Sequence, residues 1–184
     1  MAYSEITRKR LGRTLSIDPR SRRVAWAYFQ DGDLRDCRIR TVRDGNLSVR
    51  ARNLTGPYLV ELLDDVSPHA LLVPRISGGG TRRRSVQVAK IIRTVVREAI
   101  RRGIAVHVVS HDEVKRTFSQ VDGSPARNVQ AIHDAILERF PELTVMAPKP
   151  RVRIWDSEQY FTPMFNAIAM YVAWHHLLWN MEEN

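Results

Sequence analysis

The period of the hydrophobic pattern changes partway along the chain, and that change limits the fold more than any other feature. Thr14, Leu15, Ser16 and Ile17 alternate and stop at Asp18-Pro19, as a short strand does. After the turn Arg20-Ser21-Arg22, the run Val24 to Phe29 is apolar and aromatic and ends at Asp31-Gly32-Asp33, a hairpin signal. Leu34 to Val42 alternates again, with Cys37, Ile39 and Thr41 set against Arg38 and Arg40. Short strands joined by tight turns predict an antiparallel meander.

From Val49 the spacing turns helical, with an interruption at Gly56-Pro57. Ala70-Leu71-Leu72-Val73 and Ile104 to Val109 are continuous apolar runs too short for helices, which predicts buried parallel strands. Between them Val86, Val88, Ala89, Ile91, Ile92, Val95, Val96, Ala99 and Ile100 mark an amphipathic helix closed by Gly103. A short helix is expected from Val114 to Phe118. Ser124 as N-cap and Pro125 behind it open another helix, through Phe140. Met146 to Arg153 reads as a Pro-rich loop, and Tyr160 to Trp179 as a final helix. The order predicts an α/β fold: a mixed five-stranded sheet, a three-strand meander plus two parallel strands, flanked by helices. Residues 1–10 read as a flexible basic arm, and 11–184 as a single domain.

Charge narrows the class of partner. The chain has 29 Lys plus Arg against 20 Asp plus Glu, a formal +9, and 25 of those cations are Arg. A basic surface favours an anionic partner, nucleic acid before membrane, and the guanidinium fork suits phosphate. The single cysteine, Cys37, excludes a disulfide framework and a Cys-rich zinc site. No apolar run approaches the ~18 residues of a membrane span, and the start MAYSEITRKRLGRTL has no secretory h-region. A cytoplasmic protein is the expectation.

Individual residues sharpen this. Asp18 ends an apolar strand and so falls at the rim of the sheet, where open α/β folds bind ligands. The alternative is an Asp that caps a turn before Pro19. Ser77-Gly78-Gly79-Gly80-Thr81 is a flexible loop leading into Arg82-Arg83-Arg84. Arginines at a helix start oppose its dipole, so the run favours phosphate binding over helix stability. Gly78-Gly79-Gly80 lacks the Gly-Lys-Ser/Thr of a phosphate loop. Phe118 stands out among the aromatics as a candidate wedge for a junction or single strand. The histidines show no ligand spacing.

Leu15-Ser16-Ile17-Asp18-Pro19-Arg20-Ser21 with the hairpin that follows resembles the first strand of the RuvC family of Holliday-junction resolvases, within the RNase H-like nucleases. Val106 to Phe118, the loop 119–127 and the next helix resemble that family's fifth strand, DNA-facing loop and following helix. Phe165-Asn166-Ala167 through Trp174-His175-His176 resembles its last helix. The resemblance spans about Arg13 to His176.

It implies an RNase H-like fold and a carboxylate set that holds Mg²⁺ or Mn²⁺ ions for phosphodiester hydrolysis. Carried over by position, Asp18 matches the first-strand carboxylate. The acid expected after Val73 falls on Pro74, the aspartate opening the last helix falls on Asn166, and the acid a turn earlier falls near Pro163. Glu158 and Asp156 stand upstream as substitutes, or as acids capping the helix. Asp18, Glu158 and Asn166 would then be the metal ligands, with Asp156 beside them. Arg127 matches a basic position in the family's DNA-facing loop, and Arg151 and Arg153 are further candidates. The resemblance implies a protein acting on structured or branched DNA, or RNA. It would be either a metal-dependent endonuclease with an altered site, or an inactive nuclease-fold subunit that binds or scaffolds, with protein partners in a larger complex. A homodimer is expected, with Leu177, Leu178, Trp179 and Met181 as its apolar surface.

Overall fold

The computed structural model describes residues 12–20, 23–41, 57–76, 82–121, 129–147 and 160–182. The expected meander is present: β1 (Arg13–Pro19), β2 (Arg23–Gln30) and β3 (Asp33–Thr41) pair in antiparallel order. Asp31 and Gly32, with φ of 53° and 98°, make the tight turn between β2 and β3, the left-handed pair that a twisted hairpin requires. The helix α1 (Pro57–Val66), β4 (Ala70–Pro74), α2 (Arg82–Arg101) and β5 (Ala105–Val109) follow. Then come α3 (His111–Val121), α4 (Val129–Arg139), a 3₁₀ turn (Pro141–Met146) and α5 (Thr162–Glu182). The sheet runs β3-β2-β1-β4-β5, with β4 parallel to both β1 and β5. This is the mixed five-stranded sheet that the sequence predicts.

Helices cover both faces. α1 and α2 bury Leu59, Leu63, Ile91 and Val95 against Leu15, Ile17 and Leu71. On the other face α5 packs Phe165, Ile168 and Tyr171 against Ala25, Phe29 and Leu72, joined by Phe118 of α3 and Ile136 of α4. Tyr171 stacks on Phe29 at 3.5 Å between ring centroids. α2 ends in Gly103, φ 70°, with the Ile104 amide donating to the Ala99 carbonyl at 3.0 Å. That is the glycine stop expected of it.

Several elements depart from expectation. β1 lies at the centre of the sheet, so Thr14 and Ser16 are buried along with Leu15 and Ile17; the alternation there is of chemistry, not exposure. β5 is an edge strand, with Val108 54% exposed, and not the fully buried strand that its apolar run predicts. α3 starts at His111, before the expected Val114. Its start is fixed by a capping box: Ser110 N–H donates to Glu113 Oε2 at 2.6 Å, and the Glu113 amide donates to Ser110 Oγ at 3.1 Å. Of the apolar end of α5, Leu177 is 37% exposed while Leu178 packs on the core. Cys37 packs against the α5-side core, and burial, then the charges of Asp36 and Glu142, push its thiol up to about 11.

Phe118 is 3% exposed inside the α5-side core. A wedge has to project from the surface, so this side chain is a packing residue instead. Phe118→Ala should cost about 3–5 kcal/mol of stability by denaturant melts and leave the salt dependence of any nucleic-acid binding unchanged.

His133 and His175 pack beside Phe165 and Tyr171 respectively. Burial lowers both from 6.5 to about 4. An unfolded chain binds these protons near 6.5 and the native chain does not, so their contribution is intact above that pH and is lost progressively as pH falls toward 4. Thermal melts should show stability falling through this window. His133→Phe should flatten the fall; an unchanged profile would assign it to other groups.

Candidate functional site

The C-terminal ends of β1, β4 and β5 form one rim of the sheet. Ser16 pairs with Leu72, so Asp18 and Pro74 each lie two residues farther along their strands. Pro74 in turn pairs with Val109, and the Arg75 amide donates to the Val109 carbonyl at 2.8 Å. α5 crosses beneath β1 at this end. Ser16 Oγ donates to the Ala167 carbonyl at 2.6 Å, which sets Asn166 beside Asp18.

Asp18 is 5% exposed. Its Oδ2 accepts from Asn166 Nδ2 at 3.0 Å and from the Arg20 guanidinium, Nη2 at 2.8 Å and Nε at 3.1 Å. A buried carboxylate needs such donors. Arg20 sits two residues on, where the chain leaves the strand, and turns back over it. The turn residue read from sequence is therefore the counter-ion of the candidate catalytic residue.

Around this pair the rim is basic. Burial first, then Lys115 and Arg20, lower the pKa of His111, against the opposing charge of Asp112. Glu113 is held below its ordinary range by its hydrogen bonds with Ser110, aided by Arg75 and Arg116. Its carboxylate is thus committed to the helix cap. α2 joins β4 to β5 as a parallel crossover, which places its first turn at this rim. Arg82, Arg83 and Arg84 occupy that turn, in the helix itself and not in the loop before it.

Asp18 and Asn166 are the sequence-predicted site residues that the structure brings together. Asp156, Glu158, Arg127, Arg151 and Arg153 lie outside the described residues. The donor set at hand does not fit the metal centre that the resemblance implies. Pro74 offers no side-chain ligand, and Asn166 turns its N–H, not its carbonyl, to Asp18. The Asp18 Oδ2 lone pairs face cationic and amide donors. Among the described residues no cluster of three or more His, Cys, Asp or Glu could hold a metal ion.

If the Asn166 amide is what completes Asp18, a carboxylate there should have two effects. Asn166→Asp replaces a donor with a like charge within about 3 Å. It should lower stability by about 1–3 kcal/mol without metal, and Mn²⁺ should restore the melting temperature of the variant but barely move the wild type. An equal Mn²⁺ shift in both proteins would contradict this account of the site.

No protein-family model matches the chain, and no curated protein matches it. Its structure is similar to that of Thermus thermophilus RuvC in complex with a Holliday junction substrate. The TM-score is 0.65 at 14% identity, covering 91% of this chain and 96% of that one. A second Thermus thermophilus RuvC structure gives 0.67 at 14% identity, over 91% and 96%. The yeast mitochondrial Holliday junction resolvase gives 0.67 at 12% identity, over 94% and 81%. The antiparallel meander, the two parallel strands and the flanking helices agree with the expectation from sequence: the fold of this chain is the RuvC-like fold of the RNase H-like class.

Proposed function

We propose that this protein binds structured or branched DNA through the rim of its sheet, and that binding, not two-metal cleavage, is what the Asp18 site serves. The observation that carries the reading is the pairing of Asp18 with Arg20 and Asn166, beside a strand end that carries Pro74 in place of an acid. That arrangement neutralises a carboxylate where a metal centre would concentrate negative charge. The basic first turn of α2, the resemblance to the resolvases and the net charge of +9 support DNA as the ligand. The comparison with RuvC on a Holliday junction substrate makes a four-way junction the first one to try.

One observation favours a second reading, a Mg²⁺- or Mn²⁺-dependent endonuclease. Asp18 is a buried carboxylate at the end of the central strand, beside the start of α5. Glu158 or Asp156 would have to supply the missing charge.

Fluorescence anisotropy on a four-way junction, with parallel cleavage assays in Mn²⁺, separates the two. Binding should weaken steeply with salt, no strand should be cut, and Asp18→Asn should leave the products unchanged. Replacing Arg82, Arg83 and Arg84 together with Ala should flatten the plot of log affinity against log salt by about two to three units, one lost phosphate contact each. Cleavage in Mn²⁺ that Asp18→Asn abolishes would establish the endonuclease instead. Absence of junction binding would overturn both.

A further inference from the structure

A second basic surface lies at the C-terminal end of β3, on residues without an assigned role so far. There a groove of about 730 Å³ is lined by Arg38, Ile39, Arg40, Thr41, Tyr58 and Tyr160. Its two tyrosines come from different faces of the sheet. Tyr58 belongs to α1, and its hydroxyl accepts from Trp26 Nε1 at 2.6 Å. Tyr160 precedes α5, and its hydroxyl accepts from Thr41 Oγ1 at 3.3 Å. The groove therefore wraps the edge strand.

The aromatic and cationic groups here are held in place although they are open to solvent. Tyr160 is 48% exposed. Its ring nevertheless packs edge-on against Phe161 at 5.1 Å, and its carbonyl accepts from Arg23 Nη1 at 2.9 Å. The Arg23 guanidinium lies 5.5 Å from the Tyr160 ring centroid, and that of Arg40 lies 4.2 Å from the Tyr58 ring. Arg38 is different: it is forked onto Asp36 at 3.0 and 3.3 Å. Among the described residues neither Arg23 nor Arg40 has a carboxylate partner. The groove thus holds a half-exposed Tyr160 ring beside Arg23, and Arg40 over Tyr58, with no described acid on either cation. Exposed aromatic faces next to backbone-tracking cations are what single-stranded nucleic acid requires, because its base faces are free to stack while its phosphates need charge. A duplex offers no such faces.

The register connects this groove to the Asp18 rim. Pro19 pairs with Val24, and Val24 pairs with Arg40. At the usual strand spacing Arg40 thus lies about 10 Å across the sheet from the residue after Asp18. A strand leaving the rim reaches the groove within a few nucleotides.

We propose that the groove is a subsite for single-stranded nucleic acid, with phosphate held by Arg40 and Arg23 and a base stacked on Tyr160. The proposal rests on the reading of the protein as a nucleic-acid binder and adds to it a preference for junctions or forks that expose a single strand.

The test uses the full chain, a labelled oligothymidylate, a blunt-armed four-way junction and an acidic peptide such as oligoglutamate. Tyr160→Ala should weaken oligothymidylate binding by tenfold or more, whereas Tyr160→Phe, which keeps the ring, should retain it. Arg40→Gln should flatten the single-strand salt slope by about 0.7. Blunt-junction binding should change less than twofold in all three. Melting temperatures confirm that each variant folds, and Arg40→Gln carries the test on its own if Tyr160→Ala does not. Oligothymidylate binding that is indifferent to Tyr160 and Arg40 would overturn the groove while leaving junction binding intact. Equal losses on both DNAs would overturn the single-strand assignment. Oligoglutamate binding with the same residue dependence, where oligothymidylate fails, would assign the groove to an acidic protein. Failure of both DNAs in the wild type would instead remove the reading on which the proposal stands.

Discussion

The seating of α5 on β1 is the constraint that the site depends on. β1 is central and covered on both faces, so its polar side chains have no water to turn to. A buried polar group without a partner costs about 1–3 kcal/mol, and the interface meets that demand in a fixed pattern. Ser16 Oγ reaches the Ala167 carbonyl, and one strand period later Asp18 reaches the amide of Asn166. Ala167 and Ala173, both fully buried, let the helix approach the sheet. The stack of Tyr171 on Phe29 locks the axial position farther along. A slip of α5 by one residue would break both hydrogen bonds at once. The side chain facing Asp18 is therefore chosen by helix packing, and the chemistry of the rim follows from it.

Local signals carried much of the fold. Asp31-Gly32 specifies a hairpin because both positions take positive φ, and Gly103 ends α2 for the same reason. The apolar runs that became β4 and β5 are too short for helices, and a helix between them forces parallel pairing. Where structure and local pattern differ, the deciding information is mostly non-local. β5 has a core-like sequence, but its place at the edge is decided by strand order, which leaves Val108 open. Phe118 looks like a free aromatic beside a loop, and only the arrival of α4 and α5 buries it. The start of α3 was legible and was missed: Ser110 followed three residues later by Glu113 is a capping-box pattern.

The site was legible only in part, for a related reason. That Asp18 and Asn166 meet follows from matching the first strand and the last helix to one family pattern, 148 positions apart in sequence. The role of Arg20 was not legible. Its separation from Asp18 is a turn-like two residues, and nothing in composition tells a solvated turn arginine from one folded back over a carboxylate. The groove at β3 was hidden by distance as well, since Thr41 and Tyr160 stand 119 positions apart.

Charge compensation ties these observations together. A two-metal phosphodiesterase site brings several carboxylates together and leaves the divalent ions to offset them. Here, among the described residues, one carboxylate is offset by a guanidinium from its own strand end, and an amide and a proline stand where the resemblance implies further acids. Such a pair is close to neutral by itself, which is why the proposed function does not rest on a divalent ion. The surplus arginines behave in the opposite way. Arg23 and Arg40 lie beside aromatic rings without an acid among the described residues, and Arg82 to Arg84 occupy a helix end whose dipole a cation opposes. A phosphate at either place would meet a cation that no described carboxylate has already neutralised, which is what the proposed binding requires. Among the described residues the charge is offset at the carboxylate and left without acids at Arg23 and Arg40, and it is on this distribution that the proposed binding of a polyanion rests.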